Sequence, residues 1–262
     1  PYAILSHTWE KAGEVTFDDM RDPQVAMAKS GWTKIERTCA LAGDQGIPFV
    51  WIDTCCIDKS SSAELTKAIN SMYAWYKKAR VCYTYLGDLP DSPNGDPKSR
   101  SARHQLQADL GRCRWFNRGW TLQELIAPRV VEFYDCSWTM RGTKALLCSE
   151  ISCITDIDME VLSNKTHLST IPVARKMSWA ARRQTTRVED IAYSLLGIFD
   201  VNLPLIYGEG KKAFIRLQEA IAHSTNDLSL FAWSEDKRNA NRQSYYGALA
   251  QSPQQFALCR QI

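Results

Sequence analysis

The chain has 262 residues, 45% hydrophobic and 23% charged, the proportions of an ordinary soluble globular protein with enough apolar material for a sizeable core. Its 32 basic and 29 acidic side chains leave a net charge of only +3, too balanced to point to nucleic acid or an anionic membrane surface. No apolar run approaches the roughly 18–20 residues of a membrane-spanning helix, and no signal peptide is visible. Nine cysteines, without any Cys-x-x-Cys pair, read as reduced apolar fillers in a cytoplasmic protein. The four histidines, His7, His104, His167 and His223, form no metal-ligand pattern, so no metal and no resident cofactor are expected.

Taken in order, Tyr2–Leu5 is a short apolar run that reads as a buried strand ending in the polar and aromatic tip Ser6-His7-Thr8-Trp9. Trp32, Ile35, Cys39 and Ala42 recur at helical spacing as far as Gly43. Gly46-Ile47-Pro48 turns into a second strand, Phe49–Asp53, which ends in a carboxylate. Ser61-x-x-Glu64 predicts a capping box opening a helix through Ala79, and Val81–Leu86 is the third strand. Residues 87–113 read as a long surface insertion. A short helix around Trp120–Ile126 follows; Pro128 ends it, because proline lacks the N–H and disfavours helical geometry in the residue before it. Val130–Tyr134 is the fourth strand.

Beyond about residue 140 the pattern turns helical. Helices are expected around Leu147–Ile154, after Pro172, from a second capping box at Thr186-x-x-Glu189 to a stop at Gly197, and over Lys211–Ser224, with a strand at Leu228–Trp233. Strand–helix alternation predicts an open parallel sheet with helices on both faces over residues 1–140, and a mainly helical extension, 141–262, packed on it. The chain opens directly into a strand and its end, Gln251–Ile262, reads as the beginning of another element, so a fragment of a longer protein is expected.

Ligands of such sheets bind beyond the carboxyl ends of the strands. Here those ends offer Ser6, His7 and Trp9, then Asp53, and one loop later Trp120 and Glu124. On a helical wheel Leu122, Leu125 and Ile126 share one face, while Trp120 and Glu124, at i and i+4, stand together on the other. Each alternative chemistry has a plain structural reading beside it. Gly208-Glu-Gly-Lys-Lys-Ala lacks the spacing of a phosphate loop and has Ala213 where the hydroxyl belongs, so a turn before a helix accounts for it. Cys55 or Cys56 with His7 lacks a third orienting group for a nucleophile; Asp53 and Asp58 with Glu64 have the chemistry to hold a divalent cation, but Asp58 and Glu64 serve a turn and a helix start better. Arg114 and Arg118 have the chemistry to receive a phosphate or to stand as solvated loop residues. Glu64 is explained by its capping box; Glu124 has no such explanation and leads the candidates.

Tyr2–Trp9, Val50–Lys59, Arg114–Pro128, Leu195–Asp200 and Tyr207–Gly210 together resemble the fungal heterokaryon incompatibility (HET) domain, in order and over nearly the whole chain. That resemblance implies a part in fungal nonself recognition and programmed cell death. A remoter one, carried by Gly46–Asp53, Ala68–Ser71, Val81–Leu86, Gly119–Leu125 and Val130–Tyr134, is to Toll/interleukin-1 receptor (TIR) domains, whose sheet is flavodoxin-like. Trp120 and Glu124 match the tryptophan and glutamate of the TIR Trp-Cys-x-x-Glu-Leu segment, with Thr121 in place of the cysteine. In enzymatic TIR domains this glutamate cleaves the N-glycosidic bond of NAD; other TIR domains are adaptors without catalysis. The resemblance therefore implies an NAD glycohydrolase with Glu124 catalytic and NAD as substrate, or a non-catalytic death-signalling module of the same fold. Ser6, His7, Trp9, Asp53, Trp120 and Arg118 are the expected substrate contacts. Homo-oligomerisation, or assembly induced by a nonself-sensing receptor, is expected by the same resemblance; neither nucleic acid nor membrane is.

Overall fold

Five consecutive buried residues, Ala3–His7, form β1, the strand from which the sheet grows on both sides. β1 pairs in parallel with β2 (Val50–Trp51) on one side and with β3 (Val81–Tyr85) on the other. β4 (Val131–Tyr134) extends the sheet in parallel, and β5 (Met140–Thr143) closes the edge antiparallel. The order is β2-β1-β3-β4-β5, that of a flavodoxin-like doubly wound sheet. The computed structural model describes residues 1–10, 12–91, 100–235 and 247–262. Its helices are α1 (Pro23–Met27), α2 (Trp32–Asp44), α3 (Asp53–Cys56), α4 (Ser62–Lys78), α5 (Arg100–Arg112), α6 (Thr121–Ile126), α7 (Cys148–Thr155), α8 (Met159–Leu162), α9 (Val173–Ala180), α10 (Asp190–Tyr193), α11 (Leu196–Phe199) and α12 (Lys212–Ser224).

Successive strand residues point to opposite faces, and the core divides accordingly. Ala3, Leu5, Val81 and Tyr83 pack with Ile35 and Ala42 of α2. Ile4, Cys82, Val131 and Phe133 pack on the other face with α4 and α6, in a cluster that runs on through α9 and α12 to Cys259. The helical second half therefore shares one apolar core with the α4–α6 face. Contact there is backbone-close: a Cβ on Gly197 of α11 would lie 2.0 Å from the Cβ of Tyr73 in α4.

Several sequence expectations need correction. Residues 100–112 of the expected surface insertion form α5, and Leu89, Leu110 and Cys113 are buried; the rest of it, 92–99, lies outside the described residues. β5 went unpredicted because Met140–Thr143 carries no apolar alternation, while Leu228–Phe231 is a 3-10 helix rather than a strand. Gly197 stops nothing: it lies inside α11, where α4 leaves no room for a side chain. At the first capping box Ser61 accepts from the Glu64 N–H, but the Glu64 carboxylate turns to the Asp58 N–H at 3.3 Å. The second box does not form, because Glu189 Oε1 instead accepts the N–H groups of Gly208 and Gly210, each at 2.9 Å. The glycine-rich loop thus has a carboxylate of its own chain as its anion. The filler reading fits Cys55, Cys82, Cys113, Cys148 and Cys259, which are buried, but not Cys39, Cys136 and Cys153, which are exposed.

Candidate active site

In this strand order the direction of winding reverses between β1 and β3, and the crevice for a ligand opens at their carboxyl ends. Ser6 and His7 close β1 there, paired in register with Thr84 and Tyr85. The twofold pleat sends the two side chains apart. Ser6 lies on the face of α4 and α6. Its hydroxyl accepts the indole N–H of Trp115 at 2.7 Å and donates to Glu124 Oε2. His7 lies on the other face, its Nε2 3.3 Å from Asp53 Oδ1 and its Nδ1 4.0 Å from Glu14 Oε2. Asp53 begins α3 directly after β2 and accepts the indole N–H of Trp9 at 3.1 Å through its other oxygen. Lys59 covers the Trp9 ring, 3.7 Å from its centroid, although Trp9 itself remains 43% exposed.

Glu124 is buried like Ser6 and His7, 5% exposed, with all of Thr121–Ile126 buried around it. On the wheel's other face Glu124 is thus covered as well as the apolar residues, while Trp120 is half-buried. Burial pushes the Glu124 carboxyl up to about 8 and the negative charge of Asp53 adds to the shift, while the hydroxyls of Ser6 and Tyr76 and the charge of Arg118 oppose it. Among the described residues no cation lies within salt-bridge distance of it, and its Oε2 accepts the Ser6 hydroxyl. The helix is held from its far end by Lys144, whose buried ammonium donates to the carbonyls of Leu125 and Pro128 at 3.2 and 2.5 Å.

The remaining expected contacts divide. Arg118 is half-buried beside α6, acts on Glu124 through its charge, and donates to the Thr186 hydroxyl at 3.3 Å. Trp120, half-buried, turns instead toward the helical half, where its indole and Tyr207 oppose the burial that raises the Asp190 carboxyl. Sequence reasoning assigned no role to Trp115, which orients Ser6, or to Arg183, a buried guanidinium held up in pKa by the Glu124 charge although burial pulls it down to about 9. Trp115 stands in the quoted 114–128 segment and its spacing from Trp120 was available; Arg183 lies in a stretch with no motif, and only tertiary packing reveals it.

Asp58 and Glu64 are occupied by their own turn, and among the described residues no group of three His, Cys, Asp or Glu side chains is arranged to hold a metal. A cavity of about 510 Å³ between α4, α9 and α11 is separate from these residues. Two of its charged lining residues are already engaged: Lys176 lies over the Phe199 ring and Asp227 accepts the N–H groups of Val173 and Ser229. The Glu124 group is chemically the more telling, since it places a buried carboxyl of raised pKa at the sheet's switch point.

Fold and site together define a doubly wound α/β domain with a buried carboxyl at its strand ends and a helical half packed on one face. The family described as Heterokaryon incompatibility protein (HET) matches residues 2–109, and Vegetative incompatibility protein HET-E-1 of Podospora anserina is 45% identical over 247 residues, 92% of this chain. The chain belongs to the heterokaryon incompatibility (HET) family. It spans 18% of the length of that relative. No solved structure matches it. Among the described residues no helix is long and apolar enough to cross a membrane.

Proposed function

We propose that this HET domain takes part in vegetative incompatibility, as the name of its Podospora relative describes, and that it does so by hydrolysing the N-glycosidic bond of NAD with Glu124 as the catalytic carboxylate. The observation that carries the reading is the Glu124 carboxyl itself, buried at the β1 end, oriented by Ser6 and, among the described residues, outside any salt bridge. In the proposed reaction the bond between ribose C1′ and the pyridinium nitrogen breaks, and its electron pair leaves with nicotinamide, which becomes neutral. The positive charge passes to an oxocarbenium-like ribose, which an ionised Glu124 stabilises at close range in a water-poor site. Water adds at C1′, and the proton it loses leaves to solvent, giving ADP-ribose, nicotinamide and a proton. Asp53, with His7 and Trp9 bound to it, supplies polar contacts at the mouth.

Incubating the purified domain with NAD and separating the products by chromatography tests this. Free nicotinamide and ADP-ribose are expected from the wild type, at a rate that climbs as pH approaches 8 and Glu124 ionises. Glu124→Gln, which keeps shape and loses the charge, should release neither. Cell killing by a wild type that leaves NAD intact, in the protein as it occurs with its other regions, would remove the catalytic claim and leave a signalling module.

A further inference from the structure

Resting on the reading above, we propose that Arg183 and Arg118 form a phosphate-binding subsite one helical turn from Glu124, so that the substrate is a pyridine nucleotide recognised through its phosphates and not only through its nucleoside. The bonding of Arg183 is the observation. The residue is 7% exposed, and its Nη1 donates to the Thr121 hydroxyl at 2.9 Å and to the Arg118 carbonyl at 2.8 Å. Its Nε donates to the Trp179 carbonyl at 3.3 Å. These bonds fix the guanidinium plane, yet Nη2 is buried with no acceptor. A buried donor left unpaired costs stability, and the more so when it is charged.

Thr121 and Glu124 are three residues apart on α6 and therefore share a face, so Arg183 is bonded to the side of the helix that carries the candidate carboxyl, whose charge acts on it. Among the described residues no carboxylate lies within salt-bridge distance of Arg183 or of Arg118. Arg118, the more exposed of the two, offers the second guanidinium, which among the described residues hydrogen-bonds the Thr186 hydroxyl alone. Trp179, one turn before Arg183, likewise keeps a buried indole N–H without a partner. Donors are in surplus here and the missing complement is an acceptor-rich anion. A planar guanidinium fork matches two phosphate oxygens at once.

The test compares wild type, Arg183→Lys and Arg118→Met on NAD and on nicotinamide riboside, which has the same scissile bond and no phosphate, together with thermal unfolding in inorganic pyrophosphate and in ADP-ribose. The expected result is a fall in kcat/KM on NAD on the order of tenfold, mostly in KM, since a charge-assisted bidentate contact is lost. Turnover of nicotinamide riboside should fall far less than that of NAD: Arg183→Lys keeps its positive charge, and Arg118→Met loses on this substrate only what the Arg118 charge contributes to Glu124 ionisation. Pyrophosphate and ADP-ribose should raise the unfolding temperature of the wild type and not of Arg183→Lys. Equal losses on both substrates would assign Arg183 to the support of Glu124 and overturn the subsite, as would a wild type that neither ligand stabilises. Should Arg183→Lys not fold, Arg118→Met decides by the same comparison. A wild type that is stabilised by pyrophosphate but cleaves no NAD would defeat the enzymatic reading while upholding the anion subsite.

Discussion

Glu124 combines two demands that oppose each other. A carboxyl in an apolar interior resists ionisation, and one beside the negative Asp53 resists it further, yet the proposed chemistry uses the ionised form. An approaching pyridinium would itself favour ionisation, so the bound site is expected to titrate below the free one. The raised value also has a consequence for stability that needs no substrate. The folded carboxyl, at about 8, holds its proton where the unfolded one, near 4.5, has lost it. Its contribution is therefore fully present below pH 4.5 and is lost as pH rises toward 8, at about 1.4 kcal/mol per pH unit. Glu124→Gln removes that loss. Its unfolding free energy relative to wild type should grow by a few kcal/mol between pH 5 and pH 8, measured by denaturant titration at each pH. A pH-independent difference would mean that the carboxyl is not held protonated by the fold.

At the scale of elements, α6 is a six-residue helix with every position buried, too short to be stable on its own and dependent on what grips its ends. Lys144, from just after β5, bonds the carbonyls of Leu125 and Pro128, and the turn before the helix is tied by Thr121, whose hydroxyl lies 2.9 Å from the Arg118 carbonyl. Replacing Lys144 by Met keeps the volume and deletes both charge-assisted bonds, leaving two buried carbonyls short of a donor. A loss of about 2–4 kcal/mol is expected, with an unchanged denaturant slope, and the proposed NAD hydrolysis should weaken with it because Glu124 is no longer held against Ser6. The existence of α6 could be read from Pro128 and the apolar spacing of Leu122, Leu125 and Ile126. Its complete burial could not, because the covering side chains come from residues far away in sequence. The separation of Ser6 from His7 was implicit in strand periodicity, whereas their partners Trp115, Glu124 and Asp53 depend on how the crossovers return.

For the molecule as a whole, the helical half is continuous with the apolar face of the sheet that carries α4 and α6. Gly197 is the tightest point of that seam, because the facing atom is the Cβ of Tyr73, which cannot withdraw without moving α4. Gly197→Ala should destabilise by about 1–3 kcal/mol or more, and Gly197→Ala combined with Tyr73→Gly should recover part of the steric cost at the expense of the tyrosine's packing. Additive losses in the denaturation of the double variant would show that the two positions do not meet. The same packing brings Arg183 and the Asp190 region against α6, so the second half contributes side chains to the neighbourhood of Glu124 as well as apolar cover.

Residue order alone specified the strand–helix alternation, the parallel winding and the group of polar residues at the strand ends, since periodicity and turn chemistry are local properties that a short window contains. It also singled out Glu124 by leaving that acid without a local partner. Which acids are buried, which donors stay unpaired and which glycine admits a neighbouring helix were decided by tertiary structure. Those properties depend on the distances between segments brought together by the chain's return paths, as between Ser6 and Glu124 or Thr121 and Arg183.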